Sequence, residues 1–306
     1  MRRCHRIEGH RGAAAVALDV FHGLAIRFLT MGRVRRPPTW NNRMGYHLDR
    51  YAVRWLEGGG ARQADVCIAC SQAIRHELLG EYGIPPDRVV VIPNGVGEIQ
   101  PRTELERREA REALGLPPDE FVISFVGRDA PRKGLDVAEE AIHRVREAGI
   151  PGRLLNVGNL EGRAPFTRNL GSVEPSWKRR ILSASDVFLF PTRYEGDPVV
   201  VKEAAALGLA VITTPEAHVE ILRPGEDYWL VPENTPEAHA AALRELYRSP
   251  ELRERFGRHA LRAVARWTFD TQTDSYERLI RTCLDRRLAG IPGSLASEGW
   301  RPAPEA

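Results

Sequence analysis

A chain of 306 residues has room for two domains of ordinary size, and at 42% hydrophobic residues it can bury a sizeable core. It contains no run of about eighteen apolar residues, which argues against a transmembrane helix. The net charge of +3 is uneven: residues 1–62 carry twelve arginines and no lysine against Glu8, Asp19, Asp49 and Glu57, the remainder is net acidic, and nothing in either part has the pattern of a nucleic-acid module.

In chain order, the segment from Ala13 to Leu29 reads as an amphipathic helix; Glu8, Asp19, His22 and Arg27 speak against a signal peptide. Residues 33–45 read as a loop, with Pro37-Pro38 and Asn41-Asn42, and a helix is expected from His47 to Leu56, ended by Gly58 to Gly60. From Ala64 a strand leads to Ser71, which can cap a helix over 72–81. A second strand over 89–92 runs into Pro93, Asn94, Gly95 and Val96. Cys67 and Cys70 lack a second pair or a nearby histidine, so a buried thiol at Cys67 is expected rather than zinc. The low cysteine count fits a reducing cytoplasm.

Polar residues 97–108 read as a linker, and strands then alternate with helices as in a parallel sheet. A helix over 104–114 precedes a strand over 121–126, the loop Gly127-Arg128 to Lys133-Gly134, a helix to Ala148, a strand over 154–157 and a helix over 176–184. The apolar run Val187 to Phe190, closed by Pro191, suits a strand buried on both faces. Asp197-Pro198 has the form of an N-cap with proline at the first helical position, and Gly208 closes the alanine-rich helix that follows. Beyond the strand over 210–213, a helix is expected over 217–222, then a strand over 228–231. Helices over 236–247 and 250–266 follow, then a last helix capped by Asp270, and a Pro/Gly/Ser-rich tail from Gly290 expected to be disordered.

Two features carry chemistry. Glu195 lies in the loop at the carboxyl end of one strand and Glu203 eight residues on in the helix, so both can reach the crevice where open α/β sheets bind ligands. Arg128 and Lys133 sit in a loop between a strand and a helix start, where an anion gains from fixed cations, backbone N–H groups and the helix dipole, and Gly127 lets the backbone approach it.

Pro191, Thr192, Glu195, Gly196, Glu203, Ala204 and Gly208 together resemble the paired-glutamate signature of glycosyltransferase family 4 (group 1). Gly127-Arg128 with Lys133-Gly134 resembles the family's diphosphate loop, and the block from Ala64 to Val96 the end of its first domain. The resemblance implies an α/β chain of the GT-B type, two Rossmann-like domains with parallel sheets. It implies a retaining, metal-independent hexosyltransferase with a nucleotide-diphosphate sugar as donor substrate and no cofactor. Glu195 would be catalytic, as nucleophile or as a positioning group. Gly127, Arg128 and Lys133 would bind the diphosphate; Glu195, Gly196, Asp197, Val199 and Glu203 the sugar and ribose; Val173 the base.

A catalytic histidine often follows an early strand in that family. His5, His10 and His22 are candidates here, with His10 preferred because Arg11-Gly12 and an alanine-rich stretch follow it. The chain departs from the family in Asp197-Pro198, where an aromatic and a small residue are usual, in Asn159, and in having only 63 residues before the block at Ala64. The expected domains are therefore an incomplete acceptor-side domain over 1–96, a linker over 97–108, a nucleotide-sugar domain over 109–270, a helix over 271–289 crossing back to the first domain, and the tail over 290–306. The rival expectation is a non-catalytic sugar-nucleotide-binding or assembly subunit; an epimerase on the same fold ranks lower. The basic segment 1–62 would meet a partner chain or an anionic membrane surface at the cytoplasmic side. The acceptor is not legible.

Overall fold

The computed structural model describes residues 16–17, 61–62, 64–128, 130–159 and 161–288. The chain divides into two compact units, Met1–Gly95 with Phe269–Ala306, and Val96–Thr268.

In the first unit, β1 (Val16–Ala17), β2 (Val66–Ala69) and β3 (Val89–Val91) form a parallel sheet in that order, with Val16 beside Val66 and Cys67 beside Val89. All four residues of β2 are buried, as expected of a parallel strand covered on both faces. Ser71 Oγ accepts from Ile74 N at 3.3 Å and caps α1 (Gln72–Gly80). Cys67 is a buried free thiol whose pKa is raised by burial. Val16 and Ala17 correct the helix expected from Ala13 to Leu29: pairing with the buried β2 overrides the local apolar spacing. The helix α9 (Phe269–Leu288) belongs to this unit, where Gln272 Oε1 accepts from Gly95 N at 3.0 Å. His5, His10, His22, the helix expected over 47–56 and the tail lie outside the described residues.

The second unit is a six-stranded, all-parallel sheet. Its strands are β4 (Phe121–Val126), β5 (Gly152–Val157), β6 (Thr167–Asn169), β7 (Val187–Phe190), β8 (Ala210–Thr213) and β9 (Trp229–Leu230), in the spatial order β6-β5-β4-β7-β8-β9. The chain winds outward from β4 to one edge, then returns to β7 and winds to the other. The winding therefore reverses between β4 and β7, and ligands of open α/β sheets bind at such a switch point.

Alternate residues of β4, β5, β7 and β8 enter opposite cores. Ile123, Phe125, Val187 and Leu189 pack with Ala138 and Ile142 of α4 (Leu135–Glu147) and Leu243 of α7 (Pro236–Arg248). Phe188, Phe190 and Val211 pack with Val201 and Ala205 of α6 (Val199–Ala206) and Ala260 of α8 (Pro250–Val264). Val122 and Leu155 pack with Ala110 of α2 (Glu104–Ala113) and Ile181 of α5 (Pro175–Ala184).

Helix α2 starts inside the stretch read as a linker, with Thr103 and Glu106 forming a capping box. Strand β6 was not expected, because Thr-Arg-Asn carries no apolar signal. It is held at the sheet edge by register with β5 and by Asn156 Nδ2 donating to Asn169 Oδ1 at 2.7 Å. The helix expected over 217–222 is absent. One 3-10 turn, Pro215–Ala217, ends at His218, whose φ of 49° in the left-handed region cannot continue a helix. Among the described residues no helix is long and apolar enough to cross a membrane.

Candidate functional site

The site is built where three strand ends meet backbone to backbone. After β4, Gly127 is buried and Arg128 exposed, and the short helix α3 (Ala130–Lys133) leads to Gly134. Gly134 has φ 78°, and a Cβ there would sit 2.0 Å from Pro191 O at the end of β7. Gly158, after β5, has φ 131°, and a Cβ would sit 1.7 Å from Gly127 O. Neither position can hold a side chain without moving the loop that carries Arg128 and Lys133.

The loops after β4 and β7 are stitched together. Arg132 O accepts from Arg193 N at 2.8 Å and from Thr192 Oγ1 at 3.1 Å. The Glu195 side chain is only 8% exposed, and its Oε1 is bound by Arg132 Nη1 at 2.6 Å and by Lys133 Nζ. The Lys133 ammonium also lies 4.9 Å from the Phe190 ring centroid. On its other side the Glu195 backbone is held by the turn after β8: Glu195 N donates to Glu216 O at 2.8 Å, and His218 Nδ1 is 2.7 Å from Glu195 O.

Of the residues expected to bind a diphosphate, Lys133 is thus placed against Glu195, while Arg128 makes no hydrogen bond or ion pair among the described residues. Gly196 and Asp197 are buried and Val199 half-buried. The expected capping by Asp197 is corrected: the N-cap of α6 is Pro198, no side chain caps the helix, and Asp197 turns instead to Lys202. Both members of this ion pair have 0% side-chain exposure, and Asp197 Oδ1 is also 3.5 Å from Glu220 N. The buried ammonium offers the carboxylate a stronger partner than a helix N-terminus does.

Glu203 is half-buried one turn further along α6, and both its oxygens accept from Lys178 Nζ of α5 at 2.6 Å. Val173, ahead of α5, packs half-buried against the cluster of Val122 and Leu155. Asn159 is exposed and accepts the hydroxyl of Ser172. His10 lies outside the described residues.

Three site residues escaped the sequence reading. Arg132 stands beside Lys133 in a cationic run, and nothing in the sequence marks that it joins Lys133 on Glu195. Lys178 and Lys202 look like ordinary helix lysines. A lysine in an otherwise apolar first turn (Val199-Val200-Val201-Lys202) was the one signal available for Lys202.

Residues 12–97 match the model described as Glycosyltransferase Family 4, and residues 120–249 the model described as Glycosyl transferases group 1. A D-inositol 3-phosphate glycosyltransferase of Actinosynnema mirum is 30% identical over 235 residues, covering 70% of this chain and 56% of that protein. Its counterpart in Rhodococcus erythropolis is 32% identical over 227 residues, covering 66% and 50%. The chain therefore spans about half the length of the curated relatives it matches. Among solved structures, Anabaena HepE in complex with UDP and glucose superposes with a TM-score of 0.68 at 17% identity, over 76% of this chain and 67% of HepE. WaaG, a glycosyltransferase involved in lipopolysaccharide biosynthesis, superposes with a TM-score of 0.60 at 18% identity, over 70% and 62%. With the parallel sheet, its switch point and the paired glutamates in place, the chain belongs to the group 1 glycosyltransferases of family 4 and has the α/β fold of the GT-B type.

Proposed function

We propose that this chain transfers a hexose from a nucleoside-diphosphate sugar to an acceptor, with retention at the anomeric carbon and without a metal ion. The observation that carries the reading is the junction of Lys133, Arg132 and Glu195 across the ends of β4 and β7, at the switch point of the sheet. The relatives support the donor class: HepE was solved in complex with UDP-glucose, and the inositol phosphate enzymes are glycosyltransferases by name.

When the anomeric bond breaks, negative charge builds on the leaving diphosphate. Fixed cations and N–H groups already in place stabilise it without reorganising at the moment of reaction. Arg128, exposed and unengaged among the described residues, and Lys133 of the same loop supply that charge, with Gly127 allowing close approach. Glu203, steadied by Lys178, accepts from the ribose hydroxyls, as a carboxylate acceptor can. The buried turn Glu195-Gly196-Asp197 and the start of α6 at Val199 face the sugar, with Glu195 beside the reacting carbon. The base lies by Val173, and His10, outside the described residues, is the second catalytic group of this reading. The arginine-rich segment 1–62 meets anionic lipid head groups or a partner chain on the cytoplasmic side.

Calorimetry of the 306-residue chain with UDP-, GDP- and ADP-sugars, followed by transfer assays on an acceptor panel that includes inositol phosphate, tests the reading. Saturable binding with product of retained configuration supports it. Binding without transfer to any acceptor favours the non-catalytic subunit, and no binding defeats both.

A further inference from the structure

The fully buried pair of Asp197 and Lys202 poses a physical question that the family signature leaves open. An aspartate followed by proline, just before a helix, is among the preferred N-caps, and the helix dipole attracts its charge to that end. Here the carboxylate is withdrawn. It lies with Lys202 Nζ at zero exposure, next to Glu220 N, and α6 is left with Pro198 at its N-cap and no capping side chain. The same helix end faces the loop that holds Glu195, whose neighbours Arg132 and Lys133 make the crevice cationic. A capping carboxylate there would occupy the first-turn N–H groups and repel a diphosphate.

We propose that Lys202 is a positioning residue that acts through Asp197: by holding the carboxylate inside the fold, it keeps the N-terminus of α6 open for the anionic donor. The inference rests on the donor-site reading given above. Neither side chain of the pair reaches solvent, so neither touches the donor, and residue 197 faces the sugar through its backbone alone. The pair works by where it keeps a charge, and stability alone does not account for it, since buried ion pairs are often matched in stability by apolar residues.

The test is the pair of variants Lys202→Met and Asp197→Leu/Lys202→Met, titrated calorimetrically with UDP, GDP and ADP. The single variant frees the aspartate to cap α6 and should weaken the nucleotide bound by the unmodified chain at least tenfold. The double variant removes the aspartate too, and affinity should return to within threefold. Undiminished binding by Lys202→Met overturns the proposal, and so does a double variant as weak as the single one. If Lys202→Met does not fold, the double variant decides alone: near-normal affinity upholds the proposal and a tenfold loss overturns it. A crystal structure of the single variant needs no nucleotide. Asp197 bonded to the N–H group of residue 199 or 200 supports the inference, and a carboxylate still buried against Glu220 N rejects it. That arm stands even if no nucleotide binds the unmodified chain, an outcome that would defeat the donor-site reading.

Discussion

Lys133 of the loop after β4 and Glu195 of the loop after β7 form an ion pair across the switch point, with Arg132 on the same carboxylate oxygen. In the proposed site the lysine has two claimants, the glutamate and the donor phosphates. Glu195→Gln removes the first claimant. It should tighten binding of a nucleoside diphosphate several-fold while lowering sugar transfer, because hydrogen bonds to charged groups are worth about 1.5–3 kcal/mol. Calorimetry with the diphosphate alone and a transfer assay separate the two effects, and weaker diphosphate binding in this variant would contradict the competition.

Arg128 is exposed and unengaged among the described residues, so the fold does not depend on it. Arg128→Ala should change stability by less than about 0.5 kcal/mol yet weaken diphosphate binding by tenfold or more. Urea denaturation and calorimetry on the same preparation check both halves.

The Glu203 and Lys178 side chains are 30% and 27% exposed, so their ion pair is screened by water. Glu203→Gln should cost at most about 1 kcal/mol of stability, while the loss of a charged acceptor for ribose should raise the donor dissociation constant by more than tenfold. A ribose role fails if affinity is unchanged.

His239 of α7 is buried, its Nε2 lies 2.9 Å from Asn234 Oδ1, and its buried Nδ1 has no partner among the described residues. Asn234 Nδ2 in turn donates to Pro191 O and Thr192 O at 3.1 Å. Burial lowers the histidine pKa from 6.5 to about 4. Between those values the unfolded chain binds the proton and the folded one does not. This contribution is therefore complete above pH 6.5 and lost as pH falls toward 4, with a total of about 3 kcal/mol. Urea unfolding across that range should show the decline, and His239→Gln should flatten it.

Much of this was legible in the sequence where local pattern and tertiary fate agree. The run from Val187 to Phe190 is apolar on both faces because both faces are buried, and the alanine-rich helix after it could only pack closely. Reading failed where the deciding partner is distant. Val16 and Ala17 are a strand because of Val66 and Cys67, some fifty residues away. His218 stops a helix with a backbone angle that no residue-type pattern announces. Asp197 read as the cap of the helix that follows it, and only the folded chain brings Lys202 to it without exposure.

The contacts of Gly134 with Pro191 O and of Gly158 with Gly127 O bear on how this sequence can drift. Gly158→Ala should cost at least about 2 kcal/mol and displace the loop bearing Arg128, although residue 158 carries no group able to bind a ligand. In a saturation-mutagenesis map both glycines would score like ligand-binding positions. Substitutions at the exposed Gly225 would score as milder, since a side chain there meets nothing within 4 Å and only its φ of 80° is strained. Tolerance in this unit would thus follow the seams where main chain touches main chain, not distance from the reacting atoms.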